Sequence, residues 1–165
     1  MKKLLCTVLS LAFVLGLTAC GGKTAGNESA ATGDSVKIGF VAPLSAGQAT
    51  YGELQLKGIQ MAFDEINAAG GVLGGRPLEL VQFDDQSSTT DAAAGAQKFA
   101  DDPSIVAVYG SNTSGCTLAM APVLQKARLL HLNSSSSAMA LMDYDTFFRT
   151  LNDAQVQTAF SANWG

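Results

Sequence analysis

Residues 109–117 read YGSNTSGCT. Gly110, Gly115 and Thr117 fall in the spacing G-x-x-x-x-G-x-T, that of a phosphate loop with Cys116 where the lysine should stand. Two further stretches share its chemistry: NSSSSA at 133–138 and SAGQATYG at 45–52 are rich in hydroxyls and glycines and almost free of charge. A helix start preceded by glycine exposes backbone N–H groups and the positive end of its dipole, so it attracts an anion. Serine hydroxyls add donors aimed at the same point. Without the lysine, the loop lacks the point charge a triphosphate needs, and a singly charged carboxylate suits it better. The competing role for each stretch is a solvated turn.

Other chemistry-bearing residues are few. Cys116, just inside the predicted helix, is either a reactive thiol, because a helix N-terminus lowers a cysteine pKa, or a small packed side chain. His131 is the only histidine and sits mid-strand among apolar residues, where a buried structural role is expected. That weakens a Ser-His-Asp enzyme, and the chain has no G-x-S-x-G elbow. Asp84-Asp85 directly follows a strand; one acidic pair without a second cluster points to strand-end capping rather than a metal site. No catalytic residue, metal or cofactor is expected.

Alternating strands and helices must position these loops. VKIGFVAPL (36–44) reads as a buried strand ended by Pro43. Residues 51–71 place Leu56, Ile59, Phe63 and Ile66 at helical spacing, with Gly70 and Gly71 as the stop. A second strand covers 78–83, followed by a helix with an apolar face of Ala93, Ala96, Phe99 and Ala100. Residues 104–110 form a third strand, apolar at successive positions as in parallel strands covered on both faces. TLAMAPVLQKAR is helical up to and around Pro122, 127–133 is strand four, DTFFRTL a short fifth strand, and NDAQVQTAFSANWG a helix capped by Asn152 or Asp153. This alternation predicts a doubly wound, mainly parallel α/β sheet with no internal repeat. Ligands bind such sheets at the carboxyl ends of the strands, which gathers the loops after Leu44, Tyr109 and Leu132 on one edge.

The chain opens with a charged Lys2-Lys3 pair, an apolar run from Leu4 to Leu17, and LTAC at 17–20. This reads as a secretory leader over 1–19, since the run is short of the roughly 20 residues of a membrane span. A cysteine after small residues resembles the lipobox of bacterial lipoproteins, which implies lipidation at Cys20 and anchoring outside the cytoplasm. Residues 20–35 lack large apolar side chains and read as a flexible tether. Cys6 leaves with the leader and Cys20 carries lipid, so Cys116 has no disulfide partner and a cysteine zinc site is excluded. Without Lys2 and Lys3, eight basic side chains face fourteen acidic ones, a net charge of −6, which argues against nucleic acid as a partner.

KIGFVAPLSAGQATYGELQLKGIQMAFDEINAAGGVLGGRPLELVQFDD, GSNTSGCT, LNSSSSAMAL and FFRTLNDAQ together resemble the branched-chain amino acid binding proteins of ABC transporters, type I periplasmic binding proteins with two lobes. The resemblance runs from Val36 to the end. It implies a first lobe over 36–150 and the start of a second over 151–165. It also implies an amino acid ligand, an ABC permease as membrane partner, and binding rather than catalysis. Carried over by position, Ser114 binds the ligand α-carboxylate with help from backbone N–H groups at Gly115 or Cys116. The Ser135 carbonyl meets the α-ammonium, and the Ser137 hydroxyl joins the carboxylate, with Ser136 between them in the same ligand loop. Tyr51 lines the side-chain pocket. Some relatives brace two of these loops with a disulfide; here those positions are Ser87 and Thr113. The acidic residue that pairs with the ligand ammonium belongs to the second lobe, so a truncated chain or a fragment of a longer one is expected. A ligand-sensing domain of the same fold and a non-functional fragment are the competing readings.

Overall fold

The computed structural model describes residues 33–164. The leader expected over 1–19 and the lipidation expected at Cys20 lie outside the described residues. Five strands form one parallel sheet in the order β2-β1-β3-β4-β5. They are β1 (Val36–Ala42), β2 (Leu78–Asp84), β3 (Ile105–Gly110), β4 (Leu130–Asn133) and β5 (Phe147–Arg149). Between and after them run α1 (Ala49–Ala68), α2 (Thr89–Ala100), α3 (Ser114–Ala127) and α4 (Ala154–Ala162). The expected doubly wound α/β sheet is therefore present. The chain winds outward from β1 in both directions, and right-handed crossovers put α1 on one face and α2 with α3 on the other. The winding reverses between β1 and β3, which makes their carboxyl ends the topological switch point where such sheets open a crevice.

The α2/α3 face is dry. Val41, Ala92, Ala96, Phe99, Ile105, Val108, Cys116, Met120 and Leu124 form one buried cluster. Each large apolar side chain enclosed there contributes about 1.5–3 kcal/mol. The other face is only half covered, because α1 rests against β2. Phe40 is buried there beside the Tyr109 ring, 6.0 Å between centroids, whereas Val106 in β3 is 52% exposed. The apolar run of β3 is thus not enclosed on both sides as its composition suggests.

Several boundaries move for identifiable reasons. Pro43 ends β1 after Ala42. Strand four starts at Leu130 rather than Ala127, because Ala127 closes α3 and Arg128 adopts the left-handed conformation that ends a helix. On α2 the buried face is Ala92, Gly95, Ala96 and Phe99, with Ala93 and Ala100 only half-buried. Asp153, not Asn152, caps α4: its Oδ1 accepts the Val156 N–H at 2.8 Å. Gly33 to Ser35, read as the end of the tether, are held on the fold. The Gly33 N–H donates to Gly75 O, and the Arg76 guanidinium donates to the Asp34 and Ser35 carbonyls.

Candidate functional site

Loops following β1, β3 and β4 meet at one edge of the sheet. Asp84 shapes the first. Its Oδ1 accepts the N–H groups of Leu44 (2.8 Å), Ser45 (3.3 Å) and Gln86 (2.9 Å), and its Oδ2 accepts the Ser45 hydroxyl at 2.5 Å. Partial burial pushes the Asp84 pKa up, but these donors outweigh it and hold the carboxyl below its usual range. Strand-end capping is the role its position suggested. Gly52 lets α1 follow closely, since a Cβ there would lie 1.9 Å from the Pro43 carbonyl oxygen.

The second loop turns at Gly110 (φ +133°), where a Cβ would meet the Val41 carbonyl at 1.9 Å, so only glycine fits. The Ser111 hydroxyl donates to the fully buried Asp85, which also accepts the Ser87 N–H at 2.9 Å. Burial raises the Asp85 pKa, and these two donors offset part of the rise. Thr113 caps α3: its hydroxyl accepts the Cys116 N–H at 3.3 Å. Ser114 is the first helical residue, half-buried, and Gly115 after it is exposed. The N–H groups of Ser114 and Gly115 are thus among those the helix itself cannot pair.

Cys116 departs from the expectation of a ligand contact. Its thiol is buried in the core cluster, its N–H is taken by the cap, and burial pushes the thiol pKa up rather than down. Of the two roles open to Cys116, burial favours the packed side chain over the reactive thiol.

The third loop separates serines that are alike in sequence. Ser136 is fully buried, with its hydroxyl 2.5 Å from the Thr117 hydroxyl, so that side chain faces the interior rather than the mouth. Ser135 and Ser137 are half-buried at the rim. The Ser135 hydroxyl donates to Ser111 O and accepts from Gln55 Nε2, both at 3.3 Å. The Ser137 carbonyl accepts the Ala154 N–H at 2.9 Å, while Arg149 donates to Ala138 O at 3.0 Å and lies 3.5 Å from Asp153. The Ser114 and Ser137 hydroxyls enter none of these bonds. Tyr51 is 63% exposed in the first turn of α1, one turn before Gln55 and on the same helix face.

His131 lies beneath the second loop. It is fully buried, its Nε2 is 2.5 Å from Gly110 O, and its ring meets Phe147 edge-on at 5.1 Å. Burial lowers its pKa to about 4, against the opposing carbonyl bond, so it is neutral at physiological pH. Among the described residues no group of three or more His, Cys, Asp or Glu could hold a metal.

Asn133, Ser111 and Gln55 join the site without a role assigned from sequence, and Thr117, read there only as the last position of a phosphate-loop spacing, joins it as an internal link. Only Asn133 carried a local signal, an amide at a strand end followed by polar residues. The Ser111–Asp85 pair spans 26 positions and has none. What the mouth offers is short donors, carbonyls and one helix end, with no charged side chain in the 111–116 or 134–138 loops. A helix terminus stabilises an anion by about 0.3–1 kcal/mol at an exposed site and up to about 2 kcal/mol when partly buried, which favours a small monoanion over a polyphosphate.

A family model described as periplasmic binding protein matches residues 35–164. The leucine-, isoleucine-, valine-, threonine- and alanine-binding protein of Pseudomonas aeruginosa is 32% identical over 120 residues, 72% of this chain and 32% of that protein. The crystal structure of a branched-chain amino acid transporter substrate-binding protein from Streptococcus pneumoniae, in complex with isoleucine, is similar with a TM-score of 0.69. It is 35% identical and covers 73% of this chain and 34% of that one. An ABC transporter substrate-binding protein from Desulfitobacterium hafniense, in complex with Leu, gives 0.70 at 32% identity, covering 80% and 40%. The chain spans about a third of the length of the curated relatives it matches.

Proposed function

This chain belongs to the periplasmic binding protein family, and from that premise we propose that it is the N-terminal lobe of an extracytoplasmic substrate-binding protein. Its ligand is an α-amino acid, branched-chain or closely related. Residues 36–150 form the lobe and 151–165 begin the second. Lipidated Cys20 anchors the chain to the membrane, and an ABC permease receives the ligand. The action is binding, with no chemical step.

The observation that carries this reading is Ser114, placed as the first residue of α3 at the topological switch point, with the neighbouring N–H of Gly115 on an exposed turn. The ligand carboxylate docks on the Ser114 hydroxyl and these amides, where hydrogen bonds to a charged group are worth about 1.5–3 kcal/mol each. The Ser135 carbonyl takes the ammonium and the Ser137 hydroxyl completes the carboxylate shell. Tyr51, on the rim, meets the ligand side chain. Ser136 and Cys116 support this arrangement from below through their buried side chains.

Calorimetry with L-leucine, L-isoleucine, L-valine and L-leucinamide tests it. At least one acid binds while leucinamide does not, and Ser114→Ala weakens binding by about tenfold or more. Equal affinity for leucine and leucinamide overturns the carboxylate reading.

A further inference from the structure

Asn133, the last residue of β4, is 2% exposed and uses both ends of its side chain. Nδ2 donates to the Ser111 carbonyl at 2.8 Å and to the Gly110 carbonyl at 3.0 Å, and lies 3.3 Å from the Thr117 hydroxyl. Oδ1 accepts the N–H groups of Ser135 at 2.8 Å and Ser136 at 2.6 Å. The amide can face only one way, because a flip would set its oxygen against two carbonyls and its NH2 against two N–H groups. One end therefore grips the loop that leads into Ser114, and the other grips the loop that carries Ser135 and Ser137.

We infer that Asn133 is a positioning residue that sets the spacing between the two halves of the ligand site, and through it the affinity. This rests on the amino acid site proposed above. Two donors and two acceptors in a fixed plane, one methylene from the backbone, are the chemistry of asparagine alone. Aspartate keeps the shape and the acceptor for Ser135 and Ser136 but presents oxygen to the Gly110 and Ser111 carbonyls. A short aliphatic side chain leaves four backbone groups without this partner. Preorganisation of a binding site cuts the ordering cost of association, so loosening the spacing appears in affinity and not only in stability.

The test uses the whole chain with L-leucine as probe, titrated at about pH 5 and pH 7. Four variants are compared: N133D, N133A, S114A and I105A. Ile105 is buried at the opposite end of β3 and serves as the stability control. N133D weakens leucine about tenfold or more at pH 7 and regains several-fold at pH 5, where the buried carboxyl takes a proton and again offers a donor. N133A is weak at both pH values, and I105A binds as the parent does despite its lower melting temperature. N133D and N133A within about twofold of the parent, with S114A defective, overturn the role of Asn133 while the carboxylate site stands. S114A at parental affinity overturns the carboxylate site instead. Hydrogen exchange on the ligand-free chain then decides the coupling. N133A must loosen the Ser135 and Ser136 amides and the 111–113 segment ahead of the α3 cap together, and loosening of one side alone overturns it.

Discussion

The two serine-bearing loops at the mouth are made of the same residue types and held by opposite means. The loop before α3 runs straight into a fourteen-residue helix, so its donors and its positive potential come from secondary structure. Its fixtures are local or beneath it: Thr113 caps the first turn, Asp85 holds Ser111, and Asn133 holds the Gly110 and Ser111 carbonyls from below. The loop after β4 leads only into a 3-10 turn of five residues, Met139–Asp143. Its shape is imposed by side chains from elsewhere: Asn133 at its start, Thr117 from α3 and Arg149 from β5. A helix end supplies ligand chemistry that survives most single substitutions around it, whereas a tethered loop is only as well placed as its tethers. The first loop should therefore fail mainly when its floor fails, and the second should fail piecemeal.

The largest expected effect attacks that floor. Unfolded histidine titrates near 6.5 and His131 in the fold near 4, so the unfolded chain takes the proton first as pH falls. The His131 contribution is present in full above about pH 6.5 and is lost as pH falls toward about 4, by roughly 3 kcal/mol. Asp85 works in the opposite sense, since burial raises its pKa and its protonation on acidification favours the fold. Comparing the parent with His131→Leu isolates the histidine. The substitution leaves Gly110 O bonded to Asn133, and the His131 Nδ1 it removes has no partner. Urea melts across pH 4–7 should show the parent losing stability steeply and the variant much less. Parallel curves for the two would show that His131 does not govern acid sensitivity.

Thr117 comes next, because it links the two loops. Its hydroxyl contacts Thr113 O at 2.8 Å, Ser111 O at 3.2 Å and the buried Ser136 hydroxyl. Thr117→Val keeps the shape and leaves the Ser136 hydroxyl without this partner, at a cost of about 1–3 kcal/mol in unfolding free energy. If stability changes by less than about 0.5 kcal/mol, the hydroxyl pair is not a tether.

Legibility in the sequence follows the same division between local and borrowed structure. Strand-helix alternation, a helix after the Gly110–Gly115 loop (read from Thr117, three residues late), the capping role of Asp84 and the burial of His131 could all be read, because each depends on neighbours in the chain. The inward turn of Ser136 could not. Within SSSS nothing distinguishes one serine from the next, and the choice is made by Asn133 folding back on the loop and by Thr117 reaching from another helix. Cys116 was ambiguous for a related reason: a helix start argues for a reactive thiol, and only the packing against Met120, Leu124 and their neighbours settles it as core. The face of α2 slipped because alanine and glycine fill six of its twelve positions, five of them in the run 92–96, leaving little amphipathic contrast. Arg128 ended α3 where the apolar pattern ran on, a left-handed turn at a residue that does not advertise it.

The smallest effect concerns the far side of the tethered loop, and it sharpens the contrast most. Arg149 is nearly buried, donates to Ala138 O at 3.0 Å and pairs with Asp153 at 3.5 Å. The ion pair is worth about 0–1 kcal/mol because Asp153 keeps solvent contact. The bond to Ala138 O adds about 1 kcal/mol. Arg149→Met keeps much of the apolar stem and removes both, so a stability loss of about 1–2 kcal/mol is expected by urea titration. Asp153→Asn removes only the pair and should cost less than half as much. The two variants also separate loop from helix in hydrogen exchange. Arg149→Met should speed exchange around Ser137 and Ala138 and leave the Cys116 and Thr117 amides protected, because Thr113 holds both. Equal loss of protection in both would mean that the loops move as one body and that the helix start is not self-supporting.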